Sequence, residues 1–231
     1  MKALKARCCG ISAGVLSADV GNLDQAVKDL IGWGGTIAHV DVMDGAFVRP
    51  LSVGPAVVAA LGNGCVRDVH LMVETPEDHV AAFARAGADI ITVHAEATGA
   101  AGALDRIRQE AERLERPILA GLAVMPGTPL ELVAPLLDPA PDLILSVAID
   151  PRGDAPADLP LACKRLQTLA QMVSPARPVL AIDGGVTGET IQIPAAITPD
   201  IIVSGSAIFR APDPGAAFRN LEAAWKAPRT P

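Results

Sequence analysis

Short runs of apolar, often β-branched residues recur along the chain, and each is followed by a turn and an amphipathic Ala/Leu-rich stretch. The runs predict strands over residues 10–16, 36–43, 66–72, 90–94, 118–123, 143–147, 179–182 and 201–204. Several are apolar at nearly every position, as parallel strands covered by helices on one face and packed on the other require. Helical spacing predicts helices over 23–33, 76–86, 129–137, 161–172 and 207–225, the last broken by Pro212 and Pro214. Thr75 stands at an N-cap position with Pro76 as the first helical residue, and Gly34/Gly35 and Gly87 stand where helices end. Eight strands alternating with helices predict an α/β fold, a (β/α)8 TIM barrel. An open doubly wound sheet shares the alternation, but the G-x-G-x-x-G fingerprint is missing after the first strand. No linker or shift of composition divides the chain, so residues 1–231 read as a single domain.

Composition narrows the function classes. Half of the 231 residues are hydrophobic, enough for a sizeable core and too many for a disordered chain. Charged residues, Pro and Gly interrupt every apolar run before the roughly 18 residues that span a bilayer. No apolar segment follows the basic residues Lys2, Lys5 and Arg7, so the expectation is a cytoplasmic protein with no membrane partner. The net charge is −7, with no Tyr, two Trp and four Phe, which argues against nucleic acid as a partner. Cys8, Cys9, Cys65 and Cys163 show no C-x-x-C spacing and read as reduced thiols.

In a barrel, chemistry gathers at the C-terminal ends of the strands. The second strand ends His39-Val40-Asp41-Val42-Met43-Asp44-Gly45, and alternation puts His39 and Asp41 on one face. The third ends Asp68-Val69-His70-Leu71-Met72 with the same period, and the fourth ends at His94 with Glu96 beyond it. The seventh runs into Asp183-Gly184-Gly185. His79, between acidic residues of a helix, reads as solvated. Carboxylates left unpaired in an apolar barrel would cost several kcal/mol. One divalent cation held by His39, Asp41, His70 and Asp183 would offset their charge and engage their lone pairs.

Two glycine-containing stretches follow the last two strands, Asp183-Gly184-Gly185-Val186 and Ser204-Gly205-Ser206-Ala207. Each suits a tight strand-to-helix turn. Each also stands where barrels bind phosphate through backbone amides.

Taken together, these residues resemble the ribulose-phosphate 3-epimerase family, the pentose and hexulose phosphate 3-epimerases, from about Ile11 to Phe209. The likeness is carried by Val15-Leu16-Ser17-Ala18-Asp19, His39 to Gly45 with Phe47-Val48, Asp68 to Met72, and Ala86-Gly87-Ala88-Asp89. It continues through Val93-His94-Ala95-Glu96, Pro126-Gly127-Thr128-Pro129, Asp183 to Val186 and Gly205 to Phe209. The resemblance implies a ribulose-phosphate-binding barrel and an isomerase that interconverts D-ribulose 5-phosphate and D-xylulose 5-phosphate. It implies one divalent ion (Zn, Fe, Mn or Co) on His39, Asp41, His70 and Asp183. Asp41 and Asp183 would be acid and base on opposite faces of an enediolate, and Ser17, Met43, Met72, Gly184, Gly185, Gly205 and Ser206 would meet the sugar phosphate. A homo-oligomer and a place in pentose phosphate metabolism are implied as well.

The chain also departs from the family pattern. Gly14 stands where the family carries a Ser, and Ala46-Phe47-Val48-Arg49-Pro50 where it reads His-Phe-Val-Pro-Asn. After the sixth strand the family has Asn-Pro-Gly-Phe-Gly-Gly-Gln, whereas residues 148–158 here keep only Gly153 and bring in Asp150, Asp154 and Asp158. These acids would repel a phosphate, and Arg152 or Arg49 could answer it. The alternatives are an epimerase of a different ketose or ketose phosphate, or a metal-binding barrel without turnover. A metal-dependent hydrolase or an aldolase is a further class. The Schiff-base aldolase lacks its Lys, since Lys164 falls within a predicted helix.

Overall fold

The computed structural model describes residues 1–227; positions 228–231 of the predicted domain lie outside the described residues. The apolar runs form β1 (Gly10–Gly14), β2 (Ile37–Met43), β3 (Val66–Met72), β4 (Ile90–His94), β5 (Leu119–Val124), β6 (Leu143–Val147), β7 (Val179–Asp183) and β8 (Ile201–Ser204). Each pairs in parallel with the next, and β8 pairs with β1, so the sheet closes into an eight-stranded barrel. Closure leaves no open edge, which settles the choice against the doubly wound sheet.

Strand alternation sorts the core into two shells. Ile37, Val66, Ile90, Leu119, Val179 and Ile201 meet inside the barrel, and Leu4 and Cys8 join that cluster from the N-terminal segment with its short helix α1 (Lys2–Lys5). The alternate residues, among them Val40, Val69, Ile91 and Leu122, face outward and pack against the helices. Those helices are α2 (Leu23–Gly32), α3 (Pro55–Ala60), α4 (Pro76–Arg85), α5 (Ala100–Arg113), α6 (Leu130–Val133), α7 (Leu159–Met172), α8 (Gln192–Ala195), α9 (Ser206–Phe209) and α10 (Pro214–Lys226). The last helix also closes the ring, since Glu222 of α10 accepts the Ile11 amide of β1 at 2.8 Å.

Several predicted bounds change. The first strand stops at Gly14, and Val15–Ser17 turn into a 3-10 helix, because the chain must leave the barrel rim there. The fifth strand sits one residue later than predicted. The stretch 207–225 separates into α9 and α10, with Pro214 opening α10 and the Asp213 carboxylate accepting the Ala216 amide at 2.8 Å. Helices α1, α3, α5 and α8 lie outside the predicted helices. Thr75 occupies the N-cap of α4, but its hydroxyl makes no capping bond there. Gly34 and Gly87 both take φ near +97°, the left-handed geometry expected after a helix. The four cysteines are free thiols, and among the described residues no helix is long and apolar enough to cross a membrane.

Phe83 of α4 is one of the largest fully buried side chains, packed in the outer shell. Phe83→Ala is expected to destabilise the fold by ~3–5 kcal/mol, read as a lower denaturant midpoint at unchanged slope.

Candidate active site

The register of β2 against β3 builds the site. It sets His39 beside Asp68 and Asp41 beside His70, all on the inner face, so two acid–imidazole pairs stack at the C-terminal end of the barrel. Asp183, the last residue of β7, reaches the same point from across the mouth, since β8 and β1 lie between β7 and β2 in the ring. One donor atom from each of His39, Asp41, His70 and Asp183 lies within 4.8 Å of the other three.

The hydrogen-bond partners define which atoms face the cluster. His39 Nδ1 meets Asp68 Oδ2 at 2.7 Å, and Asp68 Oδ2 also accepts from Ser12 Oγ at 2.9 Å. Asp68 has only lone pairs to offer, so His39 donates from Nδ1 and turns Nε2 inward. That Nε2 is 3.1 Å from Asp41 Oδ1 and 3.8 Å from Asp183 Oδ2. His70 turns Nδ1 inward, 3.1 Å from Asp41 Oδ1 and 3.6 Å from Asp183 Oδ2. Its outer Nε2 meets His94 Nε2 at 2.8 Å, and His94 Nδ1 meets Glu96 Oε2 at 3.1 Å.

Both imidazoles are buried, whereas Asp41 and Asp183 keep 31% and 18% of their side chains exposed, so the carboxylates face the opening. Burial alone would push His39 and His70 down. The Asp68 and Asp41 charges hold His39 well above the ordinary histidine value, and bonds to Asp183 and Asp41 raise His70 to about 8. Burial opposes ionisation of Asp41 too, but the two imidazoles outweigh it and hold the carboxyl well below the usual range. For His94, burial prevails and pulls the imidazole down to about 4.

This donor set fits a divalent cation. Two imidazole nitrogens and two carboxylate oxygens converge, and the inward nitrogens of His39 and His70 point at carboxylate oxygens. Only a proton or a cation can stand between such atoms without repulsion. The residues could therefore hold one metal ion.

The other predicted site residues surround this cluster. Met43 and Met72 pack with Phe47, Val48, Ala97 and Met125 into an apolar patch beside it. Gly184 and Gly185 take φ of +100° and +72°, and a side-chain carbon on Gly185 would collide with Ala157 of the β6 loop at 2.3 Å. Tight turn geometry by itself therefore requires both glycines. Ser17 lies against Gly205, where a Cβ on Gly205 would come within 2.7 Å of its Oγ. Gly14 approaches the same glycine closely, since a Cβ there would sit 3.0 Å from the Gly205 Cα. Ser206 begins α9 just beyond Gly205.

Two expectations about the β6 loop are corrected. Asp158 is the N-cap of α7, accepting the Leu161 amide at 2.9 Å, so it is committed to the helix. Asp150 holds Arg152 in a two-pronged pair at 2.9 and 2.8 Å, which neutralises the acid and occupies the guanidinium offered as a phosphate partner. Asp68, Met125 and the His94–Glu96 pair were not assigned roles from the sequence. The i, i+2 spacing of His94 and Glu96, shared with His39/Asp41 and Asp68/His70, was the available signal.

Comparison with known proteins agrees with this geometry. The model of the ribulose-phosphate 3 epimerase family matches residues 10–209. The chain is 36% identical over 220 residues to a ribulose-phosphate 3-epimerase of Mycobacterium leprae, covering 91% of this chain and 92% of the relative. It is 32% identical over 204 residues to that of Bacillus subtilis, covering 86% and 91%. Among solved structures, 3-hexulose-6-phosphate synthase from Salmonella typhimurium superposes with a TM-score of 0.69 at 15% identity, covering 94% of this chain and 98% of that one, a likeness of fold. With the family match spanning most of its length, the chain belongs to the ribulose-phosphate 3-epimerase family.

Proposed function

We propose that the chain is a metal-dependent 3-epimerase, an isomerase that interconverts D-ribulose 5-phosphate and D-xylulose 5-phosphate on one barrel domain. The observation that carries this reading is the meeting of Asp41 and Asp183 from separate strands at one buried pair of imidazoles. Inverting a carbon next to a ketone requires a proton to leave one face and another to arrive at the opposite face. A single carboxylate would return its proton to the face it left. Two carboxylates entering from β2 and β7 can serve the two faces, Asp41 and Asp183 each acting as base in one direction and acid in the other. A divalent ion held by His39, Asp41, His70 and Asp183 would supply Lewis acidity that stabilises negative charge on the substrate oxygens. Zn, Fe, Mn and Co all suit two imidazoles with two carboxylates.

The remaining residues support binding. Met43 and Met72 belong to the apolar patch beside the cluster, which would exclude water from the reacting carbon. Gly184, Gly185, Gly205 and Ser206 border the same mouth, with Ser17 packed on Gly205, and would present backbone and hydroxyl groups to the phosphate. The β7 and β8 loops are braced together by Ser204 Oγ, which donates to the Val186 carbonyl at 2.9 Å. We place the protein in the cytoplasm, in pentose phosphate metabolism, as a homo-oligomer.

One observation favours a second substrate within the same reaction class. The β6 loop offers the Asp150–Arg152 pair where family members carry glycines, so a ketose with a differently placed anion or none would be accommodated.

Incubation of the zinc-loaded protein with D-ribulose 5-phosphate in heavy water is expected to place solvent deuterium at C3. Absence of exchange across a panel of ketoses and ketose phosphates would leave a metal-binding barrel without turnover. Asp41→Asn and Asp183→Asn are each expected to lower kcat by ~10²–10⁴-fold, and near-normal turnover in either would contradict the two-acid scheme. Proton competition gives a separate check on the metal. His70 holds a proton up to a pKa of about 8, and a cation needs the lone pair of its inward nitrogen. His39 is held above the ordinary histidine value as well and must also give up its proton. Apparent zinc affinity is therefore expected to keep rising with pH through 8 and to weaken by about tenfold or more per unit below it, measured by chelator competition.

A further inference from the structure

His94 is buried and Glu96 half-buried beside the donor cluster, and neither belongs to it. We infer that they form a positioning pair which holds His70 as its Nε2–H tautomer and so presents the Nδ1 lone pair to the metal. This rests on the metal site proposed above.

The protons can be placed one after another. A cation on His70 Nδ1 takes that lone pair, so the neutral ring carries its hydrogen on Nε2. His94 Nε2, 2.8 Å away, must then accept that hydrogen and be bare. The proton of His94 therefore sits on Nδ1 and is donated to Glu96 Oε2 at 3.1 Å. Glu96 accepts on both oxygens: Oε1 takes the Met125 amide at 2.9 Å and the Thr128 hydroxyl, and against the effect of burial these bonds and the one from His94 hold the carboxyl ionised, down to about 2. Every hydrogen in this chain has one place, and the order begins at a backbone amide that cannot be reversed.

His39 shows the simpler solution to the same problem, since Asp68 accepts from its Nδ1 directly. His70 has an imidazole in that place, and an imidazole can offer either a lone pair or a hydrogen. Glu96 removes the ambiguity. Geometry supports the fixed arrangement: the His70 and His94 rings meet edge to edge through their Nε2 atoms, centroids 4.9 Å apart and planes within 24° of each other, and Phe47 packs against the His94 ring at 5.0 Å.

A merely structural role predicts that any substitution filling the same space leaves metal binding intact. The positioning role predicts otherwise, and zinc affinity measured by chelator competition separates the two. His94→Leu removes the acceptor and is expected to weaken zinc by about 10–100-fold. His94→Gln can put its carbonyl oxygen where Nε2 stood and is expected to restore affinity to within about threefold of the parent. Glu96→Gln tests the order of hydrogens with almost no change of shape. Its carbonyl must keep the Met125 amide, so its NH2 faces His94, reverses that tautomer and aims a hydrogen at His70. The expected loss is again about tenfold or more, accompanied by a changed visible spectrum of the cobalt-loaded protein. If His94→Leu does not fold, Glu96→Gln decides alone.

Parent-like zinc affinity in Glu96→Gln, or equal affinity in the Leu and Gln variants of His94, would overturn the positioning role while leaving the metal site standing. Failure of the parent protein to hold zinc would instead overturn the metal reading on which this inference rests.

Discussion

Four electron-rich side-chain atoms converge at the barrel mouth, and the rest of the site is arranged to make that tolerable. Asp41 and Asp183 would repel one another, and the inward nitrogens of His39 and His70 would add lone pairs to the conflict. Without a cation, protons resolve it: both imidazoles are held above their ordinary range by the adjacent carboxylates. A divalent ion resolves it more completely by offering one positive centre to all four atoms. The same repulsion that makes the cluster costly as a piece of core is what prepares it as a cation site.

Holding such a cluster requires rigidity, and the parallel barrel supplies it through register. His39 and Asp41 cannot shift relative to Asp68 and His70 without breaking a ladder that runs from Ile37/Val66 to Met43/Met72. A slip of β2 by one residue would turn His39 and Asp41 outward and send Val40 and Val42 into the barrel. The loops carry less of this burden and vary more. Asp44 still anchors the turn after β2, accepting the Ala46 and Phe47 amides at 2.9 Å and the Glu74 amide at 2.7 Å, which ties the β2 and β3 loops together.

These two levels explain what could be read from the residues. The strands were legible because their apolar runs are bounded by Gly, Pro and polar residues, and the donor set because period-two spacing puts His39 with Asp41 on one face. Helix α5 was missed because it opens with Gly99 in a left-handed conformation and no polar cap, and its buried stripe is a narrow one around Ala103, Leu104 and Ile107. Helix α3 is six residues long, and α8 is four with Pro194 inside it, too short for a helical period to show. The spacing of His94 and Glu96 was visible as well, but it could not reveal which nitrogen meets His70. That depends on the β3–β4 register and on the loop bringing the Met125 amide to Glu96.

The altered β6 loop illustrates where variation can enter without disturbing the chemistry. It leaves the barrel at Ala148, whose amide donates to the Asp183 carbonyl at 2.7 Å, and returns at Asp158, whose amide donates to the Ala148 carbonyl at 2.8 Å. The excursion is thus closed at its base by backbone bonds that no side-chain change removes. Its inner side rests on Gly184 and Gly185, so residues such as Ile149 and Ala157 shape the rim while Asp183 stays clamped through its main chain. Between those fixed ends, Asp150 and Arg152 neutralise each other and add no net charge to the mouth. A loop built this way can vary in sequence while Asp41 and Asp183 keep their places.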